Sequence, residues 1–135
     1  MELFPWKDEY SVNVAKIDAQ HKKLVAVINQ FHDAITAGQS RKDLQRIFAV
    51  LLDYMLHHFE TEEALLTEHG YPGLEEHKKE HDVFRKKIVA FLDAFLDTDM
   101  DVTMDMAKYL ASWLSTHVFS TDKKYSVFLN ERGVF

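Results

Sequence analysis

Five histidines and two carboxylates, His21, His58, Glu62, His77, His81, His117 and Asp122, fall along this 135-residue chain at spacings that would gather them around a pair of metal ions. Within an α-helix, residues i and i+4 differ by about 40° around the axis and project from one face. His58 with Glu62, and His77 with His81, have that spacing, so each pair can approach one metal region. His117 and Asp122 stand five apart, a step of about 140° that sends them to divergent faces of a continuous α-helix. The fourth helix is therefore predicted to end near Ser120–Thr121, so that Asp122 can swing back into the site.

Composition narrows the chemistry. The chain has no cysteine, so disulfides, zinc-thiolate sites, iron–sulfur clusters and thiol nucleophiles are excluded, and any metal must be held by nitrogen and oxygen. A formal net charge of -6 and the lack of a basic stripe argue against nucleic acid as a partner. The opening residues Met1 to Asp8 have neither a basic nor an apolar region of the kind a signal peptide needs. No apolar run approaches the ~18 residues that span a bilayer. A cytoplasmic protein of one domain is the expectation, since 135 residues at 47% hydrophobic content suffice for one core.

Four helices must position these residues. Turn residues cluster at Gly38-Gln39-Ser40 and Gly70-Tyr71-Pro72-Gly73, and Asp97 to Thr103 forms a third polar break. Between the breaks, large apolar residues recur at steps of three and four. The helices are expected at about 19–37, 41–69, 74–96 and 104–119, with seams that include Leu24, Ile28, Phe31 and Ile35; Leu44, Phe48, Leu51 and Met55; Phe84, Ile88, Phe91 and Phe95; and Met106, Leu110 and Trp113. Short connections make consecutive helices antiparallel, which predicts an all-α, up-down-up-down four-helix bundle. Ser40 with Asp43 resembles a capping box, and Asp18 is assigned as the N-cap of the first helix. Residues 1–17, which include Phe4, Trp6 and Tyr10, are read as an arm across the bundle. The tail, 120–135, is expected to hold one short helix through Tyr125, Phe128 and Leu129.

The rhythm that selects the core also selects the candidate ligands. His21 precedes Leu24 by three, His58 follows Met55 by three, and His117 follows Trp113 by four. Each is expected to point inward, where an unpartnered polar group costs several kcal/mol. Antiparallel packing brings the starts of the first and third helices to the ends of the second and fourth, so the histidines and Glu62 share one pole. For a single inward histidine, a hydrogen-bonded core residue is the better reading; a set in register at one pole favours metal. His32 and His57 lie off the seams, and His69, about 10 Å along the axis from Glu62, is assigned to helix-end stabilisation. A ferritin-like oxidase would use Glu-x-x-His pairs, and no histidine here has glutamate three residues before it. A hydrolytic di-zinc or di-manganese site stays open by ligand type, although no general acid or base is found on these seams.

In this order, Ile17-Asp18-Ala19-Gln20-His21, His58-Phe59-Glu60-Thr61-Glu62-Glu63, His77-x-x-x-His81 and His117-x-x-x-x-Asp122-x-x-Tyr125 resemble the hemerythrin family, and more closely its single-domain bacterial members, the bacteriohemerythrins. The resemblance covers almost the whole chain. It implies a non-haem di-iron centre with an oxo or hydroxo bridge. Glu62 and Asp122 would bridge the irons, with His77, His81 and His117 on one and His21 and His58 on the other. The five nitrogens, four carboxylate oxygens and two bonds from the bridge would fill all but one of the twelve positions of two six-coordinate irons, and the vacancy falls on the two-histidine iron. The resemblance places dioxygen there, in an apolar pocket of Leu24, Phe59, Trp113, Leu114 and Val118. It implies an oxygen carrier for storage, transport or delivery rather than an enzyme, with an oxygen-consuming enzyme as recipient. A di-iron sensor, or an enzyme acting on oxygen, peroxide or nitric oxide, is the alternative.

Overall fold

The three-and-four rhythm becomes five helices in the computed structural model, which describes residues 5–97 and 103–135. These are α1 (Ala15–Thr36), α2 (Arg41–Glu68), α3 (Leu74–Asp97), α4 (Thr103–Thr116) and α5 (Lys123–Glu131), with no strand among the described residues. A 3-10 turn (Asp8–Tyr10) precedes α1, and a π turn (His117–Thr121) joins α4 to α5. Phe4 and most of the expected polar break, residues 98–102, lie outside the described residues.

Local chemistry sets the helix ends. Ser40 Oγ accepts the Asp43 N–H at 3.1 Å and so caps α2. The Asp43 carboxylate turns to Arg46 instead of back to Ser40, so half of the capping box forms. Gly38 and Gly70 stand just past α1 and α2 at φ of +71° and +67°, a left-handed conformation that glycine adopts without strain. There the chain reverses: the Gln39 and Tyr71 N–H groups bond back to the Ala34 and Leu66 carbonyls at 3.1 and 3.0 Å.

Asp18 is not the N-cap. Helix α1 begins at Ala15, and Asp18, inside its first turn, accepts Ser11 Oγ at 2.6 Å and the Val12 N–H at 2.8 Å. The arm doubles back over the helix start, through Asn13 at φ +56°, and the carboxylate binds the arm rather than the helix terminus.

Packing pairs establish the direction of each helix. His21 meets His58 while Phe31 meets Phe48, so α1 and α2 run antiparallel. Arg41 lies over Phe95 while Glu62 meets His77, which does the same for α2 and α3. Phe84 meets Trp113 and Phe91 meets Tyr109, which sets α3 against α4. With α1 also packed on α4, the four close into an antiparallel bundle.

Two apolar clusters result. The larger runs through the bundle and includes Leu24, Ile28, Phe31, Leu51, Met55, Phe84, Ile88 and Leu110. The smaller joins Val12, Val14 and Ile17 of the arm and α1 start to Leu66 of α2 and Tyr125 and Leu129 of α5. Each fully buried side chain of this size contributes about 1.5–3 kcal/mol. The candidate site lies between the clusters, at the pole that the arm and α5 close.

Candidate metal centre

Each helix of the bundle delivers part of the site. His21 comes from the start of α1, His58 and Glu62 from the end of α2, His77 and His81 from the start of α3, and His117 from the turn that follows α4. All six are buried, as is Asp122.

Asp122 arrives by a different route from the one the spacing suggests. The chain does not break after Thr121; it widens into the π turn, where the Asp122 N–H reaches the His117 carbonyl at 2.8 Å. An i to i+5 bond accommodates one extra residue in the turn. Residues five apart then share a face, which an α-helix reserves for residues four apart.

The carboxylates divide the histidines into two sets. Glu62 Oε1 faces His77, His81 at 3.1 Å and His117 at 3.6 Å, all through Nε2. Glu62 Oε2 faces Nε2 of His58 at 3.3 Å and of His21 at 3.8 Å. Asp122 divides likewise, with Oδ1 2.7 Å from His117 Nε2 and 3.4 Å from His77 Nε2, and Oδ2 3.0 Å from His21 Nε2. Two buried donor groups follow: Glu62, His77, His81 and His117 in one, His21, His58, Glu62 and Asp122 in the other, each with its atoms within 4.8 Å of one another.

Hydrogen bonding shows that these atoms suit a metal better than they suit one another. Both Asp122 oxygens are buried without a hydrogen bond, although each lies within 3.0 Å of an imidazole nitrogen. The approaches are short yet no hydrogen bond joins them, as fits atoms that converge on a common point. Nε2 of His21 and His58 lie 3.0 Å apart, and those of His81 and His117 3.2 Å apart. The outward nitrogens of two rings fix the tautomer: His58 Nδ1–H donates to Gln20 Oε1 at 2.6 Å and His81 Nδ1–H to Glu63 Oε2 at 3.1 Å. In the neutral ring this leaves Nε2 with a free lone pair aimed inward. The amide of Gln20 is oriented because Thr61 Oγ gives its hydrogen to the His57 carbonyl and accepts Gln20 Nε2. The donor set fits two metal ions.

Without metal, the same charges act on protons. Burial alone would lower His21 and His117, but contact with Asp122 and Glu62 outweighs it and raises them to about 9 and about 10. His58 is lowered, because burial outweighs its attraction to Glu62. Burial would raise Glu62 and Asp122, yet the surrounding imidazoles hold both below the usual carboxylate range. Two protonated imidazoles thus balance two carboxylates, in the place of cations.

The five expected pocket residues all lie in or against the larger apolar cluster. Phe59 stacks on His81 at 3.9 Å between centroids, and Trp113 on His117 at 4.4 Å, so the aromatic walls touch the three-histidine group directly. Phe59 is 6.2 Å from the ring of His58, its contact with the other group. His69 Nδ1–H bonds the Leu65 carbonyl at 3.0 Å, a helix-end contact remote from the donors. Sequence reasoning gave no role to Gln20, Glu63 or Arg85, which surround the outward faces of the histidines; the signal available was adjacency, since Gln20 and Glu63 flank His21 and Glu62 and Arg85 follows His81 by four.

Known proteins resemble this chain in sequence and fold. A model of the hemerythrin HHE cation binding domain matches residues 12–129. A bacteriohemerythrin of Stenotrophomonas maltophilia is 34% identical over 91 residues, 67% of this chain and 59% of that protein. One of Pseudomonas aeruginosa is 36% identical over 83 residues, 62% of this chain and 54% of the other. The matched segment therefore spans little more than half the length of these relatives. A wild-type hemerythrin crystal structure superposes with a TM-score of 0.86 at 29% identity, covering 93% of this chain and 96% of that one. A point mutant of hemerythrin superposes with a TM-score of 0.88, also at 29% identity, over 94% and 97% of the two chains.

Proposed function

The chain belongs to the hemerythrin family of HHE cation-binding domains, and from that premise we propose that it binds dioxygen reversibly at a non-haem di-iron centre, for oxygen storage, transport or delivery. The observation that carries this reading is the division of the carboxylates, each of which turns one oxygen to each set of histidines. In this reading His77, His81 and His117 would hold one iron and His21 and His58 the other, with Glu62 and Asp122 each offering one oxygen to either side. When bound, the iron pair would supply the two-electron redox chemistry that dioxygen binding needs.

The remaining work falls to the protein's own side chains. Leu24, Phe59, Leu114 and Val118 are buried, and with Trp113 they would wall the site without offering an acid or a base. Tyr125, the phenol at the site, donates to Glu62 Oε2 at 2.9 Å. Burial, and then the charges of Asp122 and Glu62, push its pKa well above the ordinary phenol value, so its proton stays on the ring and holds the carboxylate in place. A site that withholds protons and excludes water favours release of the ligand unchanged, which supports a carrier over a catalyst.

Iron analysis, with optical spectra through repeated oxygenation and deoxygenation, tests the proposal. We expect two irons per chain and a spectral change that reverses without net consumption of dioxygen. Zinc in place of iron, fewer than two irons, steady oxygen consumption with a reductant, or irreversible oxidation on first contact would each overturn it.

A further inference from the structure

His58 and His81 occupy corresponding places in the two donor groups, yet their outward nitrogens meet different partners. The His58 Nδ1–H donates to a neutral amide oxygen, that of Gln20. The His81 Nδ1–H donates to a carboxylate, Glu63 Oε2. That same oxygen lies 3.2 Å from Arg85 Nη2, and Arg85 Nη1 is fastened at 2.7 Å to Asp82. The guanidinium stands 5.2 Å over the Phe59 ring, which also stacks on His81. His81 is thus held at its edge by Glu63 and on its face by Phe59, and one arginine braces both. The side chains of Glu63 and Arg85 are 18% and 34% exposed, so their charges are only partly screened by water.

A carboxylate on the outward N–H makes the inward nitrogen of an imidazole a stronger donor, whereas an amide fixes orientation with less electronic effect. An arginine on that carboxylate withdraws part of the charge. We propose that Glu63 and Arg85 are a tuning pair for His81: Glu63 positions the ring and strengthens its Nε2 as a donor, Arg85 damps that effect, and the three-histidine side becomes the more strongly electron-donating half of the centre. The inference rests on the di-iron reading above and assigns a source of asymmetry within it.

The test compares the iron-loaded protein with Glu63→Gln, Glu63→Ala and Arg85→Met, reading the reduction potential and the loss of iron to a competing chelator. Glu63→Gln keeps an acceptor for the His81 N–H and removes the charge, so iron retention should stay near that of the parent while the potential rises. Glu63→Ala removes both, and iron should be lost about 10–100-fold more readily. Arg85→Met keeps the packing over Phe59 and releases the damping, so the potential should fall. Opposite shifts for Glu63→Gln and Arg85→Met are the signature, because loosened structure alone would move both in one direction. Unmoved potentials, or shifts of the same sign, would overturn the tuning pair. Failure of the parent protein to take up two irons would instead overturn the di-iron reading.

Discussion

His21 and His117 carry protons that a bound metal would have to displace. Their folded values, about 9 and about 10, stand above the ordinary histidine value of 6.5. Protein stripped of metal by a chelator therefore draws stability from these two contacts in full below pH 6.5, and loses it as pH rises through 9 to 10. Glu62 and Asp122, lowered in the fold, act in the opposite sense and lose their contribution on acidification. Urea midpoints of the stripped protein, taken from neutral to alkaline pH, should decline across that window; a flat profile would contradict the assigned charges. Metal uptake should release protons for the same reason. The assignment of the ligands has its own test: His77→Ala or Asp122→Ala should lose iron and the reversible spectral change, and a folded variant that kept both would refute it. At this scale the clustering of His21, His58, Glu62, His77, His81 and His117 was legible because they obey the rhythm of the core, whereas Asp122 was signalled only by its five-residue step from His117. Gln20, Glu63 and Arg85 were not legible, because a contact with the outer edge of a ring leaves no period in the sequence.

Among the elements, the π turn was the hardest to foresee. A five-residue step between His117 and Asp122 demands that the α-helix be interrupted, but a break and a widened turn satisfy it equally, and the spacing cannot distinguish them. The structure resolves the choice with a continuous backbone: Thr116 and Asp122, on either side of the turn, are both in the right-handed helical region. A side-chain bond from Thr121 Oγ to Glu80 Oε1, at 2.8 Å, helps tie this turn to the bundle. Thr121→Val keeps the shape and removes the bond. A loss of about 1 kcal/mol in stability is expected, with weaker retention of metal because the turn that presents Asp122 is less firmly held. Unchanged stability and unchanged retention in a chelator titration would show that the backbone alone sets the turn. The start of α1 shows a similar limit: an aspartate near a helix start looks like a cap, and only the course of the preceding arm reveals that Asp18 binds Ser11 and Val12 instead.

Over the whole molecule, the bundle was legible from seams and short turns, whereas closure of its pole was not. Nothing periodic links the arm to α5, yet Ser126 Oγ donates to the Val12 carbonyl at 2.6 Å, and Asn130 reaches the Asn13 carbonyl at 3.0 Å. These contacts, with Asp18, seat the arm and tail helix over the smaller apolar cluster. Asp18→Ala removes an acceptor used twice and should cost about 1–3 kcal/mol in denaturant unfolding. It should also hasten metal loss, since the pole above Glu62 would open more often; equal rates in parent and variant would argue that the arm is not a barrier.

The two donor groups recruit different helices. Glu62 serves both, but α3 enters only the first, through His77 and His81, and α1 only the second, through His21. Each ion would act as a rivet through one side of the bundle. A protein carrying a single ion would then be a hybrid, fastened along one flank and breathing along the other. Hydrogen exchange on half-loaded protein should find the amides of α1 and α3 with unequal lifetimes, and the slower helix would report which ion entered first.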